Sequence, residues 1–204
     1  MHCLVRNYLL DAQKQVVGLL QLGLLAYSLI YLGLALLSPN PIASLLDRTG
    51  ILAIQLLLGI FFLGILLAKF PLDKAIWTGF RRRLGLFSFV LVLGHLVIYL
   101  LLDQFFDWQE IWRQALQLTY LQIGYLAFLL FLPLVFTSSE SLKQALGKQW
   151  KRIHQLIWLI MPLSLWHYYL VQKFDYSGVF LYSGLFGVLV IYVWVYPRLR
   201  HFKK

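Results

Sequence analysis

Residues 81–103 read RRRLGLFSFVLVLGHLVIYLLLD: three arginines, 19 residues with no formal charge, then an aspartate. Nineteen helical residues rise about 28 Å, close to the roughly 30 Å hydrocarbon core of a bilayer. In lipid a lone strand leaves its backbone unpaired, so a span of this length reads as a helix. One ionisable side chain interrupts the apolar run, His95. A titratable imidazole is expensive in hydrocarbon and is read first as part of a site.

Outward from this segment, uncharged windows recur at 16–37, 49–68, 114–139, 153–172 and 176–197. Helices are expected near 16–37, 49–68, 84–102, 118–136, 153–171 and 177–196. The fold class is therefore an all-α membrane protein, a six-helix transmembrane bundle forming one domain over residues 1–204. Composition agrees, because 61% of the 204 residues are hydrophobic and 13% are charged, against about 25% charged in soluble domains. A β-barrel needs short alternating segments, and the sequence has none. The first window is too long for a signal-peptide core and carries no small-residue cleavage site, so it is kept as helix 1.

The net charge of +10 is a matter of placement. With the N-terminus taken as cytoplasmic, Arg6 and Lys14 fall inside, followed by Lys69, Lys74 and Arg81–Arg83. Next come Lys143, Lys148, Lys151 and Arg152, and finally Arg198, Arg200, Lys203 and Lys204. These are 15 of the 18 Lys and Arg. Arg48, Arg113 and Lys173 fall outside, beside Asp47, Asp103, Asp107, Glu110 and Asp175. The positive-inside rule puts both termini in the cytoplasm. The basic excess is thus a topology signal aided by anionic headgroups, and it does not point to nucleic acid. Cys3 stands alone, which excludes a disulfide or a thiolate cluster.

The connectors carry their own signals. Ser38-Pro39-Asn40-Pro41 ends helix 1. Asp103–Arg113, with Trp108 and Trp112, reads as an interfacial segment on the outer side. Thr137-Ser138-Ser139-Glu140 matches a capping box and predicts a short helix along the cytoplasmic surface, broken by Gly147. No strand and no glycine-rich phosphate loop is present, so an electron donor is bound elsewhere or is a separate molecule.

Depth decides which histidines can meet. Helices 3 and 5 run in the same direction. His95 lies 11 residues into helix 3 and His167 lies 14 residues into helix 5, about 16 and 21 Å deep. The boundaries are good to a few residues, so these depths agree. His154 lies at the cytoplasmic entrance. Two imidazoles on parallel helices suit a b-type haem, with iron held by His95 and His167. Zinc wants three or four ligands, and no Cys, Asp or Glu lies in these helices. Gly85, Ser88 and Gly94 are expected to leave room for a wide apolar group. Arg81 precedes His95 by 14 residues, about 40° short of whole turns, so the two share a face. Arg81, with Arg82 beside it, is the candidate to grip a haem propionate or a flavin phosphate. His154 and His167 stand about 140° apart on an ideal helix, with Pro162 between them.

The bland alternative is that each histidine is a packed ring bonded to a backbone carbonyl. It weighs least on His95 and His167 together and most on His154. His2 and His201 belong to solvent-facing tails. The aromatic wealth is mostly lipid contact and interfacial belt, Trp166 and Tyr168 included.

Arg81–Leu86, then His95, Tyr99 and Asp103, resemble the helix 3 signature of the MsrQ (YedZ) family. Phe136-Thr137-Ser138, Leu146-Gly147-Lys148, Trp150, His154 and His167 are similar to that family's connector and helix 5. The likeness runs over roughly residues 48–200. More broadly the chain resembles ferric reductase-like membrane domains, which carry two histidines on each of helices 3 and 5. Here Arg81 stands where the inner ligand of helix 3 would be. The resemblance implies one or two b-type haems, with His154 the candidate for a second haem or a quinone site, and FMN a further candidate cofactor. It also implies a bacterial inner (plasma) membrane location and electrons taken from the quinone pool or a cytosolic flavin reductase. Their destination would be a periplasmic molybdenum-containing methionine-sulfoxide reductase subunit. A self-contained ferric or quinone reductase is the nearest alternative, and a non-redox transporter or scaffold the next.

Overall fold

The computed structural model describes residues 2–195, and their regular structure is helical throughout. Helix α1 covers His2–Leu36, α2 Pro41–Lys69 and α3 Lys74–Ile98, the last continued by a π-helical turn over Tyr99–Asp103. Then come α4 (Trp108–Gln117), α5 (Thr119–Phe136), α6 (Glu140–Leu146) and α7 (Lys148–His154). Helix α8 (Ile157–Val171) and α9 (Ser177–Val190) close the chain, with a second π-helical turn over Ile191–Val195. The basic run Arg198–Lys204 and His201 lie outside the described residues.

The first three helices begin earlier than the uncharged windows, and for α2 and α3 caps, not hydropathy, set the start. The Asn40 side chain accepts the Ala43 amide at 3.1 Å, with Pro41 in the first turn. The Asp73 carboxylate accepts the Ile76 amide at 2.9 Å, so Arg81–Arg83 are already helical. The short surface helix begins two residues later than the capping box predicts. Ser139 is its cap, and its hydroxyl accepts the Leu142 amide. The Thr137 hydroxyl instead donates to Pro133 O at 2.6 Å. Gly147 breaks the surface segment as expected, at φ +49°.

Among the described residues, five helices are long and apolar enough to cross a bilayer: Arg6–Leu36, Pro41–Lys69, Lys74–Asp103, Thr119–Phe136 and Ser177–Trp194. The window expected to form helix 5 divides after His154. Short-range bonds from Leu156 N to Ile153 O and from Trp158 N to Gln155 O replace the regular ladder there. Pro162 lies inside α8, and the break comes more than a turn before it. The remaining helix, α8, has 15 residues and rises about 22 Å.

Helix α2 is the hub. Leu52, Ala53, Ile54, Leu56, Leu57, Ile60 and Phe61 are buried against α3, α8 and α9, with Ile160 and Met161 of α8 fully enclosed. Gly85 and Ser88 serve this packing and open no slot. Gly85 faces Ile60, and the buried Ser88 hydroxyl donates to Ala53 O at 3.2 Å. Gly94 alone of the three fronts open space.

Candidate functional site

The α2–α3 and α5–α8 pairings carry His95 and His167 toward each other. The two ring centroids are 6.1 Å apart and the planes are nearly perpendicular, at 81°. Each ring is held through the same atom. His95 Nδ1 lies 2.9 Å from Leu46 O and 3.2 Å from Thr49 Oγ1. The buried Thr49 hydroxyl spends its own hydrogen on Leu45 O, at 2.7 Å, so its oxygen accepts from the ring. His167 Nδ1 lies 2.7 Å from Tyr120 O. A carbonyl only accepts, so both Nδ1 atoms carry hydrogen and both Nε2 atoms carry a lone pair.

Glycines make the space. A Cβ on Gly50 of α2 would stand 3.6 Å from the His95 ring. On Gly124 of α5 it would stand 2.9 Å from His167, closer than real Cβ contacts allow. The donor set fits haem iron on two counts. An iron between two imidazoles at about 2 Å each separates their centroids by about 6 Å. Metal-bound histidines also habitually donate their other nitrogen to a carbonyl, as these do. Among the described residues no three of His, Cys, Asp and Glu gather to hold an ion, so the donors do not suit zinc.

Some fourteen residues away, toward the N-terminal end of α3, lies a second polar level. The Arg81 guanidinium rests on Gly64 of α2, 3.4 Å from where a Cβ would be, and lies within electrostatic reach of His154. The His154 ring stacks on Trp150 at 4.1 Å, and its Nε2 donates to Thr137 Oγ1 at 3.2 Å. Trp150 Nε1 in turn donates to Thr137 O at 3.0 Å. His154 is thus far from the 95–167 pair and near Arg81. Arg82 is exposed, and Arg83 meets the side-chain amide of Gln21 on α1, so neither joins Arg81 at this level. Trp166 is also exposed, while Tyr168 places its hydroxyl against Gly178 of α9.

The opposite end, at the C-terminus of α3, is tied to the π-helical turn. Tyr99, buried, donates to Gln114 of α4 at 3.1 Å, and Gln114 donates to Glu110 at 2.7 Å. Hydrogen bonds from Arg113 and then from Gln114 hold the Glu110 carboxyl down to about 2. Trp108 and Trp112 of the same helix are exposed, as an interfacial segment requires.

Sequence reading missed Thr49, Gly50, Gly64, Tyr120 and Gly124, and it gave Thr137 and Trp150 no contact with His154. The glycines did leave a trace, since a glycine inside an apolar helical window weakens the helix unless something needs its space.

Residues 49–165 match the family model described as ferric reductase like transmembrane component. That stretch includes Arg81, His95 and His154 and stops short of His167. The chain is 37% identical over 160 residues to the protein-methionine-sulfoxide reductase heme-binding subunit MsrQ of Caulobacter vibrioides, covering 78% of this chain and 75% of that one. It is 36% identical over 158 residues to the MsrQ of Xanthomonas axonopodis pv. citri, covering 76% and 70% respectively. Against the MsrQ of Rhodospirillum rubrum the identity is 39% over 122 residues, or 59% and 56% of the two chains.

Proposed function

Since this chain belongs to the MsrQ family of ferric reductase-like transmembrane proteins, we propose that it is the haem-binding, electron-transfer subunit of a methionine-sulfoxide reductase system. The observation that carries this reading is the pair of imidazoles 6.1 Å apart, each presenting Nε2 because its Nδ1–H is committed to a backbone carbonyl. His95 and His167 would be the axial ligands of one b-type haem. Bound there, haem supplies one-electron chemistry at a potential set by its ligands and their burial. Leu46, Thr49 and Tyr120 fix the two rings in the required tautomer, and Gly50 and Gly124 keep the space around them.

Arg81 has no hydrogen-bond or ion-pair partner among the described residues, which suits a guanidinium kept for an anionic group, a haem propionate or a flavin phosphate such as that of FMN. Arg82, exposed beside it, would reach such a group only at the membrane surface. His154, beside Arg81, is the candidate for a second haem or a quinone. The protein would sit in the bacterial inner membrane with six spans, α8 being the fifth, and with both termini cytoplasmic. It would accept electrons from quinol or from a cytosolic flavin reductase and deliver them to a periplasmic, molybdenum-containing reductase that repairs oxidised methionine.

A reduced-minus-oxidised absorption spectrum of the purified protein tests the core of this. The expected result is a b-type Soret and α band that disappears on addition of the soluble reductase with methionine sulfoxide. A featureless spectrum overturns the haem assignment. A spectrum that stays reduced with the partner and its substrate present overturns the partnership and favours a self-contained reductase.

A further inference from the structure

Gln55 is the one polar side chain between Gly50 and Ala68 of α2, and it sits at the middle of that helix. Its amide nitrogen donates to the Tyr182 hydroxyl of α9 at 2.8 Å, and its amide oxygen accepts the Tyr27 hydroxyl of α1 at 3.3 Å. Three helices therefore pool a carboxamide and two phenols at mid-membrane depth, where polar groups are costly. The cluster is open on one side, since Tyr27 is 45% exposed along the outer surface of α1. Thr49 and Gly50 face His95, whereas Gln55 points about 120–140° away around α2. One helix width, roughly 10 Å, separates the two sites.

We infer that the Tyr27–Gln55–Tyr182 cluster is the head-group site of a membrane quinone or quinol. The ligand class follows from the chemistry: the group must travel in lipid, and its ring oxygens must both accept and donate hydrogen bonds. The carboxamide and the phenols do both. A polar route leads from the cluster to the outer surface. The Tyr27 ring stacks on Tyr31 at 5.7 Å, Arg48 lies over Tyr31 at 4.7 Å, and Asp47 acts electrostatically on Tyr31. A quinol oxidised here breaks two O–H bonds and becomes the quinone. Its two protons leave along that route, and its two electrons go singly across α2 to the one-electron acceptor of the proposed function, on which this step rests.

The test is made on the full chain in lipid nanodiscs. A photoreactive azidoquinone should label peptides containing Tyr27, Gln55 or Tyr182, and unlabelled quinone should compete while a fatty acid should not. Gln55→Leu and Tyr182→Phe should lose the label. They should also slow reduction of the haem by a soluble quinol about tenfold, the effect of one lost hydrogen bond, while chemical reduction by dithionite stays unchanged. Tyr27→Phe, which alters the exposed partner without unstapling α2 from α9, should weaken labelling with no loss of thermal stability. Labelling elsewhere, or full labelling in folded Gln55→Leu protein, overturns the inference and leaves only an interhelical staple. The labelling readout does not depend on haem, so a protein that binds quinone at the cluster but shows no b-type spectrum refutes the proposed function instead.

Discussion

An alanine at position 124 would put its Cβ 2.9 Å from the His167 ring, which cannot swing aside without giving up its bond to Tyr120 O. Losing that bond in a buried setting costs about 1–3 kcal/mol. Gly124→Ala should therefore lower the haem-to-protein ratio while the protein stays folded, as a pyridine haemochrome assay beside a thermal melt would show. An unchanged ratio would mean the ring is not pinned. His95→Ala and His167→Ala should each abolish retention of the haem they are proposed to share, whereas His154→Ala should leave at least one haem in place. Equal loss in all three variants would refute the pairing. The two ligand candidates stood out in the sequence because a titratable ring is costly in an uncharged window and the two lie at similar depth on parallel helices. Gly50 and Gly124 did not, because a helical glycine declares its purpose only when the neighbouring helix is known.

Helix ends show the same division between what a sequence carries and what packing adds. Charge placement marked where the lipid-facing windows lie, but caps such as Asn40 and Asp73 moved the helical starts to Pro41 and Lys74. The break after His154 was not legible, since the window 153–172 carries no charge and its one proline, Pro162, lies inside the helix that follows. Ser139 rather than Thr137 became the cap because the Thr137 hydroxyl was taken by Pro133 O and its oxygen by His154. Helix α4 supports a pH prediction. Glu110 is held down to about 2, so its bonds to Arg113 and Gln114 are complete above the ordinary carboxyl pKa of ~4.3 and are lost only as pH falls through about 2. The carboxyl carbon shift of Glu110 should titrate near pH 2, and a midpoint near 4.3 would show that the cluster does not form.

At the scale of the molecule, the number of crossings and the orientation rest on charge, on length and on where α8 sits. Single cysteines introduced at Asn40 and Gln104 in a Cys3→Ser background should react with an impermeant maleimide in intact cells, and cysteines at Lys74 and Lys148 should react only after lysis. The reverse pattern would invert the topology, and a cysteine at Lys173 that reacts only after lysis would remove α8 as a span. The six-window pattern was readable because lipid punishes charge so heavily. The central place of α2 was not, since α1 and α9 are nearly as apolar and only coordinates tell a hub from a lipid-facing neighbour. That arrangement bears on how the protein is made. His95 leaves the ribosome 72 residues before His167, a delay of several seconds at ordinary synthesis rates. Until α8 arrives there is half a socket, so a cofactor held by both rings, as proposed, would load late in biogenesis, and a nascent chain arrested before α8 should emerge colourless.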